Sequence, residues 1–93
     1  MLAIVILTKG NLEILFQCLS SIKRFTTCSY KIYLGDTGST IDEKSKIQNW
    51  LRISFPEKFE FIELDHYHYA ENTNYIVQNH VKEPLICFCN NDI

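Results

Sequence analysis

This chain has only three glycines and two prolines, and no block of residues carries one sign of charge. That scarcity excludes a low-complexity tract or a flexible linker, so residues 1–93 read as one small domain without an internal boundary. A basic excess is also missing. The formal net charge is −2, and the lysines and arginines are scattered apart from Lys23-Arg24, so there is no electrostatic footprint for nucleic acid. Long hydrophobic runs are absent as well. Leu2 to Leu7 falls far short of the ~20 apolar residues that a membrane span needs. It lacks a cationic leader and a small-residue cleavage site, so a secretory signal is not expected. The four cysteines are therefore expected as reduced thiols in the cytosol. Cys87 and Cys89 would share a strand face, but no second cysteine pair lies at zinc-site spacing, although His66, His68 and His80 precede them. Their expected role is that of small buried hydrophobes.

What is present is a regular alternation. Four short apolar runs recur, at Ala3 to Leu7, Tyr30 to Leu34, Phe59 to Leu64 and Leu85 to Cys89. The segments between them have helical periodicity. Leu12, Leu15, Phe16, Leu19 and Ile22 form one stripe, with Gly10 easing the turn before it and Asn11 placed to cap it. Thr40-x-x-Glu43 is a capping-box pattern ahead of a helix that presents Ile47, Trp50 and Leu51 and ends before Pro56. A third helix carries Ala70, Thr73, Ile76, Val77, His80 and Val81 on one side, with Pro84 after it.

The pattern is β-α-β-α-β-α-β, which implies right-handed crossovers and a parallel sheet with helices on both faces. The first and fourth runs are continuously apolar, as strands buried on both faces should be. In a sheet ordered 3-2-1-4, however, the fourth run is an edge strand. The chain ends four residues after Cys89, with no charge or cover to blunt that edge. The sequence therefore reads as truncated, or as needing a partner strand, which a homodimer would supply.

The acidic residues fall where such a sheet would use them. Order 3-2-1-4 brings together the loops after strands 1, 2 and 4, at the strand C-terminal ends where open α/β sheets bind ligands. Those loops carry Thr8-Lys9-Gly10-Asn11, Gly35-Asp36-Thr37-Gly38-Ser39 and Asn90-Asn91-Asp92. Hydroxyls, a lysine, amides and two carboxylates suit a base, a ribose and phosphates held through a hard cation such as Mg²⁺ or Mn²⁺, which prefers oxygen ligands.

Taken together, Ala3-Ile4-Val5-Ile6-Leu7-Thr8, Asp36-Thr37-Gly38-Ser39 and Phe88-Cys89-Asn90-Asn91-Asp92 resemble the N-terminal half of family 2 glycosyltransferases, which have the GT-A fold. The resemblance covers essentially the whole chain in order. It implies a Rossmann-like domain, incomplete at residue 93, that binds a UDP- or dTDP-sugar. Thr8 would lie in the first nucleotide loop, and Asp36 would contact the uracil or thymine edge or the ribose. Asp92 would end a D-x-D-type motif and bind Mn²⁺ or Mg²⁺ on the diphosphate. Lys9, Ser39, Asn90 and Asn91 would line the donor site, and Asn74 matches a polar helix position. The acceptor would be a glycan or a lipid-linked hydroxyl, with no nucleic acid involved. The expected location is the cytoplasm or the cytoplasmic face of the membrane. The chain departs from the family pattern at Lys9, Gly10, His68, Thr73 and Asn90. The family's acceptor half and catalytic base lie beyond residue 93, so this chain alone is expected to be catalytically silent.

Plainer readings stand beside these. Asp36 to Ser39 suits a turn that caps the following helix, and Asn90 to Asp92 suits a polar strand end. His66-Tyr67-His68-Tyr69 suits a half-buried loop with polar tips. Asp36-Thr37-Gly38-Ser39 also resembles the signature of dimeric aspartic proteases, but that family is nearly all β.

Overall fold

The computed structural model describes residues 1–9, 12–65 and 68–90. Strands β1 (Leu2–Thr8), β2 (Tyr30–Asp36), β3 (Phe59–Glu63) and β4 (Leu85–Asn90) alternate with helices α1 (Leu12–Phe25), α2 (Ile41–Ser54) and α3 (Tyr69–Asn79). The sheet is wholly parallel and ordered β3-β2-β1-β4. The α/β class and strand order expected from the sequence are those observed.

Local chemistry explains the helix limits. Thr40 and Glu43 form the reciprocal capping box: the Glu43 N–H donates to Thr40 Oγ1 at 3.2 Å, and the Thr40 N–H donates to Glu43 Oε1 at 2.8 Å. At the far end, the Phe55 N–H reaches the Leu51 carbonyl at 2.7 Å. Glu57 then takes a left-handed φ of 63° in the turn holding Pro56, which leads into β3. The start of α3 is capped by His68, whose Nδ1 accepts the Glu71 N–H at 3.2 Å. His68 is an exposed helix cap, not the tip of a half-buried loop. The cap expected from Asn11, after Gly10, lies outside the described residues, as do His66 and Tyr67.

Alternation along β1 divides the core in two. Ile4 and Ile6 point to one face, where they pack with Ile32 and Leu34 of β2, Leu15, Leu19 and Ile22 of α1, and Ile47 and Leu51 of α2. Ala3, Val5 and Leu7 point to the other, against Tyr33, Ile62 and Ile76 of α3. Each fully buried Leu or Ile contributes roughly 1.5–3 kcal/mol, so the two-helix face holds most of the hydrophobic stabilisation. On the α3 face the helix comes close to the sheet at Gly35. A Cβ there would lie 2.9 Å from Leu7 Cδ2, Leu64 Cδ1 and Ile76 Cδ1, so a side chain at this position would force those three to shift.

Two expectations need correction. β4 is not buried on both faces: Leu85 is 64% exposed and Phe88 49%, and Cys87 is exposed as well. Its apolar composition suits a central strand, but its place is the sheet edge. On α3, the buried side carries Asn72 with Thr73 and Ile76, while Ala70 is exposed. Thr73 resolves its hydroxyl within the helix, donating to the carbonyls of Tyr69 and Ala70 at 2.8 and 3.1 Å. His80 ends α3 and pairs through Nδ1 with Glu60 Oε2 of β3.

Candidate functional site

Asp36 is the last residue of β2 and the one buried acidic side chain among the described residues, at 1% exposure. An isolated buried carboxylate is costly, and Ser39 compensates it. The Ser39 hydroxyl donates to Oδ1 at 2.5 Å and its N–H lies 3.4 Å from Oδ2. A carboxylate offers about four acceptor positions, so Ser39 leaves capacity for a further donor. The turn reading of Asp36 to Ser39 is thus right about local geometry, whereas the cap of α2 is Thr40.

Thr8 stands directly beside Asp36, paired with it across β1 and β2, and is equally buried. Its carbonyl accepts from both the N–H and the Oγ1 of Thr37, each at 3.1 Å, which stitches the two strand ends together. The Asp36 carbonyl accepts the Leu64 N–H at 2.8 Å, extending the tie to the end of β3. Lys9 is exposed, and its stem lies over Gly38: a Cβ on that glycine would sit 3.4 Å from Lys9 Cγ. On the other side, Leu7 pairs with Asn90, so the end of β4 reaches the level of Thr8 and Asp36. Thr8, Lys9, Asp36, Ser39 and the backbone of Asn90 are therefore gathered at one end of the sheet. Asn91 and Asp92, expected to complete the site, lie outside the described residues.

One partner was not foreseen from the sequence. Lys44, in the first turn of α2, donates to Glu63 Oε1 at 2.9 Å. Its ammonium is held above the ordinary lysine value, chiefly by that bond, then by the charge on Glu63 and least by that on Asp36. Lys44 thus puts positive charge near a buried carboxylate. The sequence signal was weak, because a lysine one position after a capping-box glutamate looks like any solvated helix residue.

Between the end of β3 and the start of α3 lies an open groove of about 270 Å³, lined by Glu63, Leu64, Asp65, Glu71, Asn72 and Tyr75. A slightly larger depression of about 300 Å³ lies between Ser45, Gln48, Asn49 and Arg52 of α2, and none of these belongs to the strand-end cluster. Among the described residues no three His, Cys, Asp or Glu side chains converge on a metal position. No described helix is long and apolar enough to cross a membrane.

The chain is similar in structure to the mannosyltransferase PcManGT from Pyrobaculum calidifontis, solved in complex with GDP-Man and Mn²⁺. The TM-score is 0.82 over 98% of this chain, at 15% sequence identity. This chain spans 27% of the length of that protein. At that identity the likeness establishes the fold: a parallel α/β sheet ordered 3-2-1-4 that matches part of a GT-A domain. No protein-family profile matches the chain, and no curated protein matches it in sequence.

Proposed function

We propose that residues 1–93 form the nucleotide-sugar-binding domain of a family 2-like glycosyltransferase, serving transfer of a sugar to a hydroxyl of a glycan or lipid-linked acceptor. The observation that carries this reading is the buried Asp36 carboxylate at the end of β2, braced by Ser39 and set beside Thr8 at the ligand-binding end of the sheet. In this reading the free acceptor capacity of Asp36 takes the nucleoside, through a base N–H or a ribose hydroxyl. Thr8 and Lys9 line the adjoining loop.

The chemistry of the donor set fits the divalent cation that the fold family implies. Carboxylate, amide and hydroxyl oxygens are the ligands Mg²⁺ and Mn²⁺ prefer. Asp92 follows Asn90 by two residues in the sequence. Asp92 would hold the cation, which would neutralise the diphosphate oxygens. No residue here is assigned as the base that deprotonates the acceptor, so the chain alone is expected to bind and not to turn over.

The test is a titration of the purified chain with UDP, dTDP and GDP, with and without Mn²⁺, read by NMR shifts or calorimetry. Saturable binding enhanced by Mn²⁺ and weakened at least tenfold by Asp36→Ala and by Asp92→Ala is the expected result. A folded chain that ignores all three nucleotides at millimolar concentration would sink the reading. The preferred nucleotide also sorts this chain from the mannosyltransferase, whose bound donor carries GDP.

A second reading is favoured by the exposed β4. A non-catalytic module could use that edge to pair with another chain, and it would associate with rising concentration without binding nucleotide. The protease reading does not survive, because a four-stranded parallel sheet with helices on both faces is not the all-β architecture it requires.

A further inference from the structure

β4 carries a feature that donor binding does not use. Cys87 and Cys89 pair with Ile4 and Ile6 of β1, so both project on the face covered by α1 and α2. At the open edge that cover thins out. Cys87 is exposed, Cys89 is half-buried, and their sulfurs lie 4.0 Å apart. Cys18 of α1 lies on the inner side, near enough to act electrostatically on Cys89. The strand backbone holds the pair in place, since two residues on one strand face cannot drift apart.

The spacing separates two kinds of dithiol chemistry. Two residues of strand span about 6.6 Å, at the far limit of the Cα separations that a disulfide bridges. Closing a bond there would require the edge strand to buckle. A single tetrahedral ion with metal–sulfur bonds of ~2.3 Å sets its two sulfurs about 3.8 Å apart, close to what the structure already presents.

We propose that Cys87 and Cys89 form a two-thiolate site for a thiophilic d¹⁰ cation such as Zn²⁺, open to solvent at the sheet edge. Thiolates select such ions and disfavour Mg²⁺ and Mn²⁺, so this site is chemically distinct from an oxygen-lined donor site. Among the described residues no third His, Cys, Asp or Glu converges on it.

The experiment is a titration of the reduced chain with Cd²⁺, following the thiolate-to-cadmium absorption band in the ultraviolet, with circular dichroism run beside it to verify folding. The expected result is saturation at one Cd²⁺ per chain. Cys87→Ser and Cys89→Ser should each lose most of the band, while Cys28→Ser and Asp92→Ala keep it. The Asp92→Ala arm separates this site from the donor-site cation, so either can fail alone. No band from a folded chain at millimolar Cd²⁺ would overturn the proposal. So would a band that survives the double Cys87→Ser, Cys89→Ser variant, or a ratio of one Cd²⁺ to two chains, which would make the site a shared one.

Discussion

β1 and β4 lie side by side, with Leu2 opposite Leu85 and Leu7 opposite Asn90, and both are apolar almost throughout. Every residue from Ala3 to Thr8 is buried, whereas Leu85, Ile86 and Phe88 are all exposed. β1 has a strand on each side and a helix layer on each face, while β4 has β1 on one side and ends the sheet. An apolar run therefore records what a strand is able to bury. Its place in the sheet order decides what it does bury. The difference also divides the labour: the buried strand fixes Thr8 beside Asp36, and the exposed one presents thiols and an unpaired edge.

The largest expected effect comes from truncating the same kind of side chain on the two strands. Ile6→Ala removes a fully buried group and should cost about 2–5 kcal/mol in denaturant unfolding. Phe88→Ala, at a half-exposed position, should cost less than about 1 kcal/mol. Equal losses would break the comparison, because they would mean that another chain covers Phe88 in solution.

Next in size is Gly35→Ala. The new methyl would meet three terminal side-chain methyls at 2.9 Å, on Leu7, Leu64 and Ile76, which would have to shift, at a cost of about 1–3 kcal/mol by chemical denaturation. Because Gly35 adjoins Asp36, the proposed nucleotide binding should weaken along with stability. A neutral result would show that α3 docks loosely, and that the cover over β1 is no firmer than that over β4.

The smallest effect concerns how β4 is led into place. The Tyr33 hydroxyl donates to Glu83 Oε1 at 2.6 Å, tying the segment before β4 back to β2. Tyr33→Phe should cost about 0.5–1.5 kcal/mol at neutral pH. The Tyr33 bond holds the Glu83 carboxyl below its ordinary value. The stability it contributes is therefore present above the unfolded carboxylate value and is lost as pH falls through the lower, folded one. Burial, followed by the Glu83 bond, raises Tyr33 to about 12. Its contribution is present below about 10 and fades as pH rises toward 12. Unfolding curves of the parent and the Phe variant should thus differ most between these limits and converge in acid.

Much of this was legible in the sequence. Periodicity revealed seven elements because each buries one stripe or face, and the capping box at Thr40 and Glu43 was readable because both halves lie within one turn. The cluster of Thr8 and Asp36 followed from strand order. What escaped depends on contacts between distant segments or on unusual residue use. A histidine is not a preferred helix cap, so His68 gave no signal. Lys44 with Glu63, and Tyr33 with Glu83, join positions far apart in the chain that only the fold brings together. Strand order made β4 an edge, but it does not say how far the helices cover its face, so the exposure of Cys87 escaped.

The register of β1 also has a consequence in time. It leaves the ribosome before β4, yet one of its two hydrogen-bonding edges belongs to that strand, and Leu2 must wait for Leu85. At about 5–20 residues per second, that interval is roughly 4 to 17 seconds, far longer than a helix needs to form. A strand buried from Ala3 to Thr8 in the folded domain is thus half-paired until β4 has been made.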